Sequence, residues 1–158
     1  MPLLNDLVSP FNGLVAGVLR SRFHGLASKG LMIVQWQGRK SGKTFEIPVG
    51  VQPDGEGLVV MLSKRDTKQW WRNFVEPWPA TLWLRGEPRA ATGVVVPPGT
   101  DRFFTHCETT LRRMPWMGSQ FGGIPYDRER GLTEEQRKIL CENVGAVAFT
   151  LEDETGAE

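Results

Sequence analysis

Six consecutive residues, Gly38-Arg39-Lys40-Ser41-Gly42-Lys43, put three cations, a hydroxyl and two glycines into one short loop. Glycine lets backbone N–H groups turn toward an oxyanion, while Arg and Lys add charge and donors. That chemistry suits a phosphate. The Walker spacing is absent and no helix is expected to follow, so the loop is not a P-loop. The same residues also suit a solvated basic hairpin tip. A second basic segment, Ser63-Lys64-Arg65, is closely followed by Trp70-Trp71-Arg72-Asn73-Phe74. A phosphate-bearing ligand with a flat aromatic part would find cations and a tryptophan face here. Trp71 is the indole expected beside such a ring, with plain burial as the alternative. Asn73 either meets ligand or caps local backbone.

Other chemistry-bearing residues are sparse. Tyr126 is the sole tyrosine and sits in Phe121-Gly122-Gly123-Ile124-Pro125-Tyr126, a loop able to act as a lid, where its hydroxyl is a candidate proton donor. Trp36, Trp70 and Trp83 read as packing. Cys107 and Cys141 lie in helical patterns and read as free buried thiols rather than a disulfide framework. His24 and His106 lack a set of partner ligands, so no metal site is expected.

The elements that must position these residues follow from periodicity. Leu31 to Trp36 reads as a buried strand. Phe45, Ile47, Val49 and Val51 alternate as in a half-buried strand. Pro53 to Gly57 is a turn cluster, and Leu58 to Leu62 a further buried strand. Thr81 to Arg85 and Arg89 to Val96 form a hairpin across Gly86-Glu87-Pro88, and Val147, Phe149 and Leu151 alternate again. Helices are expected at Trp70 to Val75, capped by Asp66 or Thr67, at Phe103 to Met114, and after a Thr133/Gln136 capping box. Pro115 to Arg130 is a long irregular stretch. The expected fold is α+β: an antiparallel split β-barrel of about six strands with flanking helices, as one domain over 1–158. Within it, 1–24 is a helical segment with Ser9-Pro10 between two pieces, and 25–158 holds the barrel. If strands 31–36, 45–51 and 58–62 form a meander, Arg39, Lys40, Lys43, Lys64 and Arg65 converge at one end of it.

Forty per cent hydrophobic and 23% charged residues are ordinary globular values. A net charge of +1 lacks the basic excess of a nucleic-acid binder, so an anion site must come from local clustering. The N-terminal stretch has Asp6 as its first charge and no positive leader, and no apolar run reaches membrane-spanning length. The expectation is a cytoplasmic protein, a monomer or homodimer. The amphipathic N-terminal segment leaves open a peripheral place at the inner membrane face, though its polar face is poor in Lys and Arg before Arg20.

Gly38 to Lys43, then Pro48, Ser63-Lys64, Trp70 to Phe74 and Pro79 resemble, in order and spacing, the landmarks of the deazaflavin-dependent nitroreductase family. The resemblance covers residues 20–96 and implies a split β-barrel that binds coenzyme F-420. By that resemblance Arg39, Lys40, Ser41, Gly42 and Lys43 hold the coenzyme's phosphate. Pro48, Ser63, Lys64 and Arg65 line the site, and Trp71 and Asn73 shape its ring end. Two features depart from the family. Arg65-Asp66 stand where glycines are usual in a longer loop, and the tyrosines commonly offered toward substrate are missing apart from Tyr126.

The implied activity is hydride transfer from reduced deazaflavin to a small electron-poor acceptor: a quinone, an activated alkene or a nitro compound. Ser63 would donate a hydrogen bond to ring or acceptor, and Tyr126 or solvent would supply the proton. FMN is the alternative cofactor. A non-catalytic binding protein for a fatty acid, haem or similar apolar anion is the alternative outside enzymes.

Overall fold

A computed structural model describes residues 30–55, 57–84 and 86–152. The expectations for 1–24 lie outside them. The strands are β1 (Leu31–Gln37), β2 (Thr44–Gly50), β3 (Gln52–Asp54), β4 (Gly57–Leu62), β5 (Trp78–Leu84), β6 (Glu87–Val95) and β7 (Gly145–Leu151). Helices α1 (Asp101–Arg113) and α2 (Glu134–Asn143) lie between β6 and β7. The seven strands are hydrogen-bonded in the order β2-β1-β5-β6-β7-β4-β3. Five pairings have antiparallel registers. The sixth follows from two bonds, Val96 N to Ala146 O and Glu152 N to Ala90 O, whose numbers run in opposite directions. The fold is α+β, with an antiparallel sheet of the split-barrel class. The strand beyond the six expected is β3, formed by Gln52 to Asp54 at the start of the anticipated turn cluster.

The described residues form two compact units, and β6 and β7 pass through both. The first holds β1, β2, β5, most of β6 and the end of β7. Met32, Ile33 and Val34 are all fully buried, so both faces of β1 are covered, which is why its sequence is a continuous apolar run. Trp36 stacks on Phe45 with ring centroids 5.7 Å apart. β5 and β6 are longer than expected. Glu87 and Pro88 belong to β6, opposite Leu84 and Trp83, and Gly86 takes the positive φ of 80°.

The second unit holds β3, β4, α1, α2 and most of β7. β4 pairs with β3 and β7. The expected three-stranded meander is therefore not formed: β2 pairs with β1, and the chain leaves β2 at Gly50 to enter β3. Val51 N donates to Gly30 O at that point. β7 is buried at every residue from Gly145 to Phe149, so its small Ala146 and Ala148 face the core as fully as Val147 and Phe149 do. Thr100 caps α1, accepting from Phe103 N at 3.2 Å, and presents Phe103, Cys107 and Leu111 to the core. α2 starts at the expected capping box, Thr133 with Gln136. These helices pack with Val59, Val96, Phe121, Ile124, Leu140 and Val144 in one apolar cluster. The irregular stretch contains a 3-10 helix, Pro115–Ser119. Gly118 there is obligatory, because a Cβ would lie 2.0 Å from Ile124 O.

A buried polar group joins β3 to α1. Gln52 Nε2 donates to His106 O at 3.1 Å, and Thr110 Oγ1 donates to Gln52 Oε1 at 2.9 Å. His106 Nε2 lies 3.3 Å from Asp54 Oδ1, and Arg102 also holds Asp54. Burial lowers the His106 pKa below its ordinary 6.5, Arg102 adds to the lowering, and Asp54 opposes it. The unfolded chain thus takes up this proton more readily than the folded one. Stability from this group is complete above pH 6.5 and declines as the pH falls from there through the folded value. Thermal midpoints followed from pH 8 to 5 should show that decline, and His106→Gln should flatten it. A midpoint that rises on acidification would contradict the neutral assignment.

Candidate functional site

The basic turn between β1 and β2 is closed by its own backbone. Gly38 N donates to Lys43 O at 2.7 Å, and Gly42 N donates to Gly38 O at 2.9 Å. Gly42 takes φ 71°, which a side chain would resist. Lys43 N donates to Ser41 Oγ at 3.2 Å, so that hydroxyl braces the turn. A Cβ at Gly38 would stand 2.6 Å from Ser41 Oγ and 2.8 Å from the Phe45 ring, so those side chains would have to shift to admit one. Arg39, Lys40, Ser41, Gly42 and Lys43 are all exposed. The Arg39 guanidinium lies 4.3 Å from the centroid of the Trp78 ring, and Trp78 Nε1 donates to Gln37 O at 2.7 Å. Trp78 is a member of this site that sequence reasoning missed. Pro48 is half-buried on β2, opposite Ile33.

The segment after β4 is a second built structure, in the other unit. Ser63 is half-buried and Lys64 exposed. Among the described residues, Lys64 alone of the non-glycines has a positive φ, 49°. That conformation costs roughly 1–2 kcal/mol. It persists because Thr67 N and Oγ1 both bond Lys64 O, at 2.9 and 2.7 Å. Lys68, also missed in the sequence, folds back so that Nζ donates to the Ser63 carbonyl and lies 3.4 Å from Ser63 Oγ. Burial and the neighbouring Lys64 charge lower its pKa. The aromatic helix is a 3-10 helix, Trp70–Phe74, preceded by Gln69. Neither Asp66 nor Thr67 caps it, because the separate short helix Arg65–Thr67 occupies those residues. Trp71 Nε1 is shared between Arg65 O and Lys68 O, at 3.0 and 2.9 Å. Asn73 is half-buried in the same helix.

Arg65 is 18% exposed and is spent on the end of α2. Its Nη1 donates to Cys141 O and Val144 O at 3.0 Å each, and Nη2 to Glu142 O at 3.4 Å. Those carbonyls lack intrahelical partners, and a cation there also suits the helix dipole. Beside it lies a half-open cavity of about 340 Å³. Trp71, Leu62, Val95, Val96 and Ala146 give it an apolar lining, with Arg65, Asp66 and Cys141 also on its wall. Burial pushes the Cys141 thiol pKa up, with Arg65 opposing. Cys107 is fully buried and its pKa is raised well above the ordinary thiol range, so it is inert. Both cysteines are free.

Tyr126 is not among the residues lining that cavity. Its hydroxyl accepts from Arg112 Nε at 3.1 Å, and its ring packs against the core cluster. Thus Arg39, Lys40, Ser41, Gly42, Lys43 and Pro48 sit in one unit. Ser63, Lys64, Arg65, Trp71, Asn73 and Tyr126 sit in the other. Among the described residues, no group of three or more His, Cys, Asp or Glu is placed to hold a metal ion. No described helix is long and apolar enough to cross a membrane.

No protein-family profile and no curated protein matches this chain. Solved structures do. An FAD- and haem-binding protein from Mycobacterium smegmatis is 18% identical, with TM-score 0.49, over 85% of this chain and 68% of that one. A NimC/NimA family protein from Clostridium acetobutylicum is 13% identical, with TM-score 0.46, over 88% and 84%. An F-420 reductase is 13% identical, with TM-score 0.39, over 84% and 95%. At these values the likenesses carry no functional argument for this chain.

Two substitutions test the two built segments separately. Gly38→Ala should cost about 1 kcal/mol, the low end of overpacking, because the Ser41 and Phe45 side chains it meets can shift. Arg65→Ala should cost roughly 2 kcal/mol by orphaning the carbonyls at the end of α2, and Arg65→Lys should recover only part of it. Denaturant unfolding of each variant measures both effects.

Proposed function

We propose that this chain is a deazaflavin-dependent oxidoreductase. It moves hydride from reduced coenzyme F-420 to a small electron-poor acceptor such as a quinone, an activated alkene or a nitro compound. The observation that carries this reading is the basic turn, where a loop closed by backbone hydrogen bonds presents Arg39, Lys40 and Lys43 to solvent. These residues fit a phosphate. Gly42 adopts the left-handed conformation that lets its N–H close the turn on Gly38 O, which leaves the phosphate to the three cationic side chains, and Arg39 is steadied by Trp78. The family resemblance supplies the rest, assigning Ser63, Lys64, Trp71 and Asn73 to the ring end.

When bound, the reduced coenzyme supplies the hydride. The protein's own residues then have limited tasks. Arg39, Lys40 and Lys43 anchor the phosphate through charge-assisted hydrogen bonds. Ser63 donates a hydrogen bond to ring or acceptor. Tyr126, polarised by Arg112, or a solvent molecule returns the proton. FMN carries the same phosphate chemistry and is the alternative cofactor. A second reading draws on the apolar lining of the cavity: a binding protein for a fatty acid, haem or similar anion, with no turnover.

Replacing Lys40 and Lys43 together by Ala should weaken F-420 binding by about a hundredfold or more, matching the loss of two charge-assisted bonds worth ~1.5–3 kcal/mol each. Fluorescence titration at two salt concentrations measures this, and the salt dependence should shrink in the double variant. Unchanged affinity would remove the turn from the site. Tight cofactor binding without reduction of any acceptor would favour the binding-protein reading.

A further inference from the structure

The contact between Lys68 and Ser63 gives the serine hydroxyl a direction. Lys68 Nζ donates to Ser63 O and lies 3.4 Å from Ser63 Oγ. An ammonium has three donors and no acceptor. Ser63 Oγ therefore accepts from Lys68, and its own hydrogen points elsewhere. The turn that creates this meeting is held at three places. Thr67 Oγ1 donates to Lys64 O at 2.7 Å, Lys68 N to Arg65 O at 3.0 Å, and Trp71 Nε1 to Lys68 O at 2.9 Å. The strained Lys64 backbone reverses the chain between the two partners.

We infer that Lys68 is a positioning residue that makes Ser63 a one-way hydrogen-bond donor toward a lone-pair atom of a flavin-type head group, a carbonyl oxygen or ring nitrogen. The ligand's identity rests on the proposed function, whereas the pairing of Lys68 with Ser63 does not. The ammonium behind the hydroxyl also polarises it, strengthening the donor beyond that of a serine in water. Lys68 is partly buried and sits beside Lys64, both of which disfavour its charge, so the acceptor atoms of Ser63 help to keep it protonated.

The test is a titration of the full chain with oxidised F-420, and with FMN in parallel, for wild type, Ser63→Ala, Lys68→Met, the double variant and Lys68→Arg. Ser63→Ala and Lys68→Met should each weaken the tighter ligand by about fivefold to tenfold. Because Lys68 acts through Ser63, the double variant should be no weaker than either single change, and Lys68→Arg should restore most of the affinity. Losses that multiply in the double variant, or a Lys68→Met protein that binds like wild type, overturn the inference. Thermal unfolding checks that each variant folds. A ligand-free arm uses nitrogen NMR of the lysine amines. Ser63→Ala should move the Lys68 titration to lower pH, and no response overturns the pairing. If wild type binds neither F-420 nor FMN, the cofactor reading and the flavin-type ligand both fail. The NMR arm still decides the pairing.

Discussion

The guanidinium of Arg65 reaches the end of α2 and donates to the carbonyls of Cys141 and Val144 at 3.0 Å each. It meets two needs at once. The helix end must satisfy carbonyls that have no partner within the helix, and the short segment after β4 must be anchored although it is too brief to bury much apolar surface. From that anchor the rest of the segment follows. The Arg65 carbonyl accepts from Trp71 Nε1, so the indole is fixed beside the cavity that Arg65 itself lines. The same turn brings Lys68 onto Ser63 and holds Lys64 in a left-handed conformation. A residue that composition alone would class as a surface cation thus organises the second unit's candidate chemistry by hydrogen bonding.

The basic turn follows a different constraint. It is built from the absence of side chains. A Cβ at Gly38 would displace the Ser41 and Phe45 side chains, and Gly42 takes a conformation other residues avoid. Three cations are thereby gathered on a turn closed by two backbone hydrogen bonds. Trp78 adds a second brace from β5, holding Gln37 at the base of the turn and Arg39 on its ring face.

Where periodicity and capping decide structure, the sequence was readable. Met32 to Val34 announce a strand covered on both faces, and Thr133 with Gln136 marks the start of α2 through local hydrogen bonds alone. The basic turn was also readable, because its glycines are separated from one another only by the residues they serve. What escaped was set by distant pairing. β4 joins β7 rather than β2, and the two strands are separated by more than eighty residues, a choice no local pattern encodes. Trp78 reaches Gln37 across forty-one positions, and Arg65 reaches Cys141 across seventy-six. Lys68 is five residues from Ser63, a spacing that matches neither helix nor strand period, and only the left-handed Lys64 makes it a contact.

The central claim is that the turn at 38–43 anchors a phosphate carried by a flavin-type ring. Calorimetric titration of the wild-type chain with F-420, and with the same ring compound lacking its phosphate, addresses it most directly. The account predicts saturable binding of F-420 and affinity for the phosphate-free ring lower by about tenfold or more. Equal affinity for the two compounds, or no binding of either, would contradict it.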